Sequence, residues 1–213
     1  MYILFEGIDT CGKSTQIELI AQKNNIILQK LMSERPDNLK VETYDSSNII
    51  ITKEPGGTKF GKKAREILLS DSLSSKRAEL LLFLADRAEH FTNVIKPNSN
   101  KLILSDRGFL SGIGYALANG DFDFNELIKL NKFALEDTFP DKIILFLTTM
   151  DTLKLRTSQK KLDGIELRGL EYLITVQNKM QESLQKLDID YLEVDATDSI
   201  ENIHQKILTY LEL

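Results

Sequence analysis

Apolar residues fall along the chain in five short runs: YILFE (2–6), IIIT (49–52), KLILSD (101–106), KIILFL (142–147) and YLEV (191–194). The runs are near-continuous rather than alternating and rich in β-branched and aliphatic residues, as in parallel strands covered on both faces. Between them, apolar positions recur at helical spacing, which predicts helices over Ser14–Lys23, Ser75–Ile95, Phe124–Glu136, Leu167–Leu187 and Ile200–Leu211. The second of these carries Ala78, Leu81, Leu82, Ala85 and Ala88 and stops at Pro97. Strands alternating with helices predict an α/β fold, three layers deep (αβα), around a five-stranded parallel sheet. No repeat, low-complexity tract or linker divides the chain, so a single domain over residues 1–213 is expected.

Two segments depart from this pattern. Residues 24–48 are polar, broken by Pro36 and without clear period, and are expected to prolong the first helix and then form a long surface loop. Residues 156–169 (RTSQKKLDGIELRG) begin basic and hold Gly164 and Gly169, the composition of a mobile lid, placed at about 153–169.

Composition narrows the chemistry. The 213 residues are 42% hydrophobic and 28% charged, enough to bury a full core without disulfide or metal. A single cysteine, Cys11, leaves no internal disulfide, and with only His90 and His204 beside it a Cys/His zinc site is excluded. No apolar run is long enough to span a bilayer, and MYILFEG is too short for a signal peptide, so a cytoplasmic protein without membrane partners is expected. The net charge of −5 lacks the basic excess of a duplex nucleic-acid binder. An anionic ligand must then be small and met by a local cluster of cations.

Such a cluster begins after the first run. Gly7-x-x-x-x-Gly12-Lys13-Ser14, between a strand and a helix, fits the nucleotide-binding phosphate loop of P-loop NTPases. Gly7, Ile8, Asp9, Thr10, Cys11, Gly12, Lys13, Ser14 and Thr15 form the candidate ATP site. Backbone N–H groups would wrap the phosphates, Lys13 would reach the β/γ-phosphates, and the Ser14 hydroxyl would ligate Mg²⁺. Asp106, ending the third run, stands on the edge where open α/β sheets bind ligands and is the second candidate Mg²⁺ ligand. Arg107 beside it offers a planar fork for a second phosphate. In LLFLADRAEH, Phe83 and Arg87 share a helix face, and Arg87 has no acidic residue three or four positions away, an arrangement suited to stacking and hydrogen bonding a base. TKEPGGT (52–58) forces a turn at another strand end and presents Lys53 and Glu54 at the same rim.

In order and spacing, FEGIDTCGKST, TKEPGGT, FLADR, SDR with Ser111 and Tyr115, the lid with LDGIE, and VDATDSIENI resemble bacterial thymidylate kinase over roughly residues 2–205. The resemblance implies transfer of the γ-phosphate of ATP to dTMP, with Mg²⁺, by a homodimer. It implies that Phe83 stacks on thymine, that Arg87 contacts its O4, and that Asp9 engages the sugar 3′-hydroxyl. Tyr115 would lie beneath the deoxyribose. Arg107, Lys53 and Arg65 would serve the dTMP phosphate, with Glu54, Pro55 and Ser111 also in the acceptor site. Lys53 stands where the family has arginine, and Gly112 and Ala116 stand where it commonly has polar residues. Thr10 occupies a position that is arginine in some members, so Arg156 and Lys160 of the lid are expected to join Lys13, Asp9 and Arg107 as the catalytic groups. The alternatives are a kinase for another nucleotide or nucleoside, or a P-loop regulatory ATPase.

Overall fold

Strand β1 (Tyr2–Glu6) runs through the middle of a parallel sheet ordered β3-β4-β1-β5-β6, where β3 is Ile49–Lys53, β4 Leu102–Asp106, β5 Lys142–Leu147 and β6 Asp190–Asp195. This computed structural model describes residues 1–23, 44–45, 48–70, 73–157 and 169–213. Nearly all of the 24–48 segment, Lys160 and most of the lid therefore lie outside the described residues. The five predicted strands are all present. A sixth, β2 (Tyr44–Asp45), adds to the β3 edge antiparallel, and its two residues are too short to register as a periodic run.

Strands β1, β3, β4 and β5 are largely covered because alternate residues enter two cores, whereas in β6, at the sheet edge, only Val194 is buried. Ile3, Phe5, Ile144 and Phe146 pack with Ile17 and Ile20 of helix α1 (Lys13–Lys23) and Ile203 and Ile207 of α8 (Ile200–Leu211). Leu4, Ile50, Ile103 and Ile143 pack on the opposite face against α3 (Lys76–His90), α4 (Phe109–Ala118), α5 (Phe124–Ala134) and α7 (Leu170–Leu184). That is the three-layer αβα arrangement.

Three of the helices are absent from the predicted set. Helix α2 (Lys59–Leu69) follows TKEPGG and is capped by Thr58, whose hydroxyl accepts from Gly61 N. Helix α4, FLSGIGYALA, is buried over Phe109–Ala116 and shows no polar face to give it a period. Helix α6 (Met150–Thr157) takes up the first residues of the segment expected to be a lid, 153–157. The predicted Ser75–Ile95 helix starts at Lys76, with Ser75 as its N-cap, but turns at His90 into a π-helical turn (Phe91–Ile95) and then a 3₁₀ turn (Lys96–Asn98).

Register decides where the site lies. Lys53 pairs with Asp106 across β3 and β4, and Asp106 pairs with Phe5 of β1. The strands therefore end at one level, and the turns leaving them meet at the carboxyl edge of the sheet.

Candidate active site

The phosphate loop is shaped from β1 outward. Gly7 and Gly12 both adopt positive φ, +143° and +99°. A Cβ on Gly7 would stand 2.8 Å from the Phe146 carbonyl and 2.9 Å from Cys11 Sγ, so only glycine fits, and the small Cys11 is buried beneath it. Lys13 Nζ lies inside the curl, donating to the carbonyls of Gly7 (3.1 Å) and Ile8 (2.8 Å). Thr10 sits at φ +63°, a left-handed conformation that costs a β-branched residue about 1–2 kcal/mol. Its carbonyl accepts from Arg156 Nη1 at 3.0 Å, while Arg156 Nη2 donates to Ala196 O at 2.7 Å. Arg156 thus ties the loop to the turn after β6.

At the end of β4, Ser14 Oγ donates to Asp106 Oδ2 at 2.8 Å, whereas Asp106 Oδ1 is buried and accepts no hydrogen bond among the described residues. A buried anionic oxygen without a donor, next to a hydroxyl, suits a hard cation that takes one or two protein ligands and completes its shell with phosphates. These residues therefore fit Mg²⁺. Arg107 comes next at φ +72° and reaches across to the loop. Its Nη1 donates to the Gly7 carbonyl and to Ser111 Oγ, and its Nη2 pairs with Asp9 Oδ1 at 2.7 Å. Burial opposes the Arg107 charge, but Asp9, Tyr115 and Asp106 outweigh it and hold the guanidinium protonated. Behind it, Ser111 donates to the fully buried Glu6, whose carboxyl is pushed up by burial against the Ser111 hydrogen bond and the Arg107 charge.

Two cavities meet at Arg107. One runs along the phosphate loop and includes Lys13, Ser14, Lys53 and Asp106. The other opens between α2, α3 and α4. Its polar wall holds Asp9, Glu54, Arg65, Arg87, Arg107 and Ser111. Phe83, Tyr115, Pro55, Leu68 and Leu69 supply the apolar one.

Arg87 is almost fully buried, and each of its three nitrogens has a partner. Nε donates to Glu54 Oε2 at 2.9 Å, Nη1 to Asn131 Oδ1 at 2.8 Å and Nη2 to the Gly108 carbonyl at 3.0 Å. The acid missing from its own helix comes from the turn after β3. Burial alone would raise the Glu54 carboxyl, but Arg87 and His90 hold it below the usual carboxylate range. Asp86 on the same helix is pushed up to about 6 by burial and by Glu54, and its Oδ1 accepts from Gly56 N at 3.3 Å. The Glu54–Pro55 peptide is cis, and the Pro55 carbonyl accepts from Arg65 Nη1 at 3.2 Å.

The predicted acceptor residues thus line one cavity, except Lys53, which lies in the adjoining one. Lys160 is outside the described residues. Sequence reasoning missed Glu6, His90 and Asn131, whose partners are far away in the chain. It also missed Leu68 and Leu69, which the amphipathic pattern of α2 would have revealed.

A protein-family model described as thymidylate kinase matches residues 37–207. The chain belongs to the thymidylate kinase family. The thymidylate kinase of Sulfurovum sp. (strain NBC37-1) is 65% identical over 213 residues, covering all of both chains. That of Sulfurimonas denitrificans is 46% identical over the same full span. A crystal structure of thymidylate kinase from Ehrlichia chaffeensis superposes with a TM-score of 0.73 at 26% identity, covering 100% of this chain and 98% of that one. Membership makes the chain a nucleoside monophosphate kinase and removes the regulatory-ATPase alternative.

Proposed function

We propose that this thymidylate kinase transfers the γ-phosphoryl group of ATP to dTMP, giving dTDP and ADP, across the boundary between the two cavities. The observation that carries this reading is Arg107, one guanidinium bonded to the donor loop at Gly7 and Asp9 while lining the acceptor cavity. Phosphoryl transfer needs two anions in line and their charge neutralised, and a nucleotide phosphate needs no strong base to attack. ATP lies along the phosphate loop with Lys13 and the α1 N-terminus at its phosphates. Ser14 and Asp106 would hold Mg²⁺, which would supply charge neutralisation there.

In the acceptor cavity Phe83 stacks on thymine and Tyr115 underlies the sugar. Arg87 has five N–H groups, and the two without partners among the described residues serve O4. Gly112 leaves the guanidinium face open, since a Cβ there would stand 3.2 Å from Arg87 Nη2. Arg107, Lys53 and Arg65 take the dTMP phosphate. The reading includes a homodimer, which the family resemblance implies, and a cytoplasmic setting. Among the described residues no helix is long and apolar enough to cross a membrane.

An ADP-release assay over dTMP, dUMP, thymidine and other deoxynucleoside monophosphates tests this, run on wild type and Arg87→Lys. The lysine keeps the charge but not the fork, so wild type should prefer dTMP and the variant should raise its KM about tenfold or more. Preference for another acceptor, or an unchanged KM in the variant, rejects the assignment.

Lys53 adds a pH signature. Burial, then the neighbouring Arg65, lowers its ammonium to about 8, with Asp106 pulling the other way. Below that pH it is charged and holds the phosphate; above it the charge is lost. The ratio kcat/KM for dTMP, which reports the free enzyme, should therefore fall as pH rises through about 8. In Lys53→Arg it should stay flat, because arginine does not deprotonate there. A wild-type profile flat to pH ~9.5 would contradict a phosphate role for Lys53.

A further inference from the structure

We infer that His90 is a positioning residue of the acceptor site, holding Glu54 in the orientation in which Glu54 fixes Arg87. The inference rests on the reading of the acceptor cavity given above. His90 is completely buried and touches neither cavity, yet both ring nitrogens are engaged. Nδ1 is 2.8 Å from Glu54 Oε1, and Nε2 is 2.7 Å from Thr52 Oγ1. Glu54 therefore spends one oxygen on His90 and the other on Arg87. With both oxygens bonded, the carboxylate has one orientation, and a buried carboxylate denied either partner would turn to recover it.

The imidazole also seats the turn itself. A Cβ on Gly57 would come within 2.7 Å of the His90 ring, so the Pro55-Gly56-Gly57 backbone rests directly on it. Thr52 and Glu54 flank Lys53, and one ring thus spans both sides of a phosphate-site lysine. The helix is shaped to deliver it: α3 ends at His90 and gives way to the π-helical turn Phe91–Ile95, a distortion that recurs at functional sites.

The two ring bonds can be separated by substitution. Asparagine places its amide near the Nδ1 position and glutamine near the Nε2 position. His90→Asn should keep the KM for dTMP within about threefold of wild type, whereas His90→Gln should raise it about tenfold. In both, kcat and the KM for ATP should stay within about threefold, a split that general loosening of the fold would not produce. An unchanged dTMP KM in His90→Gln, equal effects in both variants, or an ATP KM rising in step overturns the inference. If neither variant folds, Thr52→Val, which frees the ring from its outer anchor, should raise the dTMP KM about threefold or more, and no rise overturns it. Arg87→Lys separates the two levels. If it raises the dTMP KM and His90→Gln does not, only this inference fails; if it has no effect, the cavity assignment falls and this inference with it.

Discussion

Arg107→Ala is expected to lower kcat/KM for dTMP by about 10³-fold, the scale of a cation placed against a transferring phosphoryl group. The substitution removes the acceptor-side fork and also releases Asp9 and the Gly7 carbonyl from their shared partner. Both kcat and KM should suffer, since the proposed role of the group is to position one phosphate and neutralise charge as it moves. The loss should not come from unfolding. Asp9 keeps about 30% of its side-chain surface exposed, so its carboxylate is not stranded, and thermal melting should shift little. Steady-state kinetics beside a melting curve check both halves, and kcat/KM within about tenfold of wild type would remove Arg107 from the mechanism.

Arg156→Ala should reduce kcat about 10²-fold while the KM for dTMP moves less than about threefold. Thr10 offers no charge at the phosphate loop, and Arg156 is the guanidinium that reaches its carbonyl. Anchored on the Thr10 carbonyl and on Ala196 beyond β6, it lies beside the proposed donor loop and does not line the proposed acceptor cavity. Turnover should fall selectively, and unchanged turnover would sink the idea. Adding Lys160→Ala measures what the rest of the lid contributes.

Strands β1, β3, β4 and β5 were legible because a parallel strand buried on both faces is written as an unbroken apolar run. Helix α4 was not, because a segment buried nearly all round, with Gly112 and Gly114 inside it, carries no periodic contrast. The phosphate loop could be read residue by residue because its chemistry is local to one turn. Arg87 shows the limit. The lack of a carboxylate one helical turn away was visible in the chain. That Glu54, 33 positions earlier, would fill the gap depends on how α3 packs beneath the β3 turn. Glu6 with Ser111 and His90 with Thr52 are likewise products of the fold, and no neighbouring residue announces them. The π-helical turn after His90 changes hydrogen-bond spacing without a distinctive residue to signal it.

The bridge from Arg107 to Gly7 and Asp9 has a thermodynamic corollary. Arg107 lines both cavities, and with the two nucleotides placed as proposed their occupancies become interdependent. By linkage, whatever factor bound ATP applies to the affinity for dTMP must equal the factor dTMP applies to ATP. A substitution at this bridge therefore alters a coupling constant as well as two affinities. Measuring each nucleotide's binding with and without the other's non-reactive analogue would give one number, obtainable from either direction.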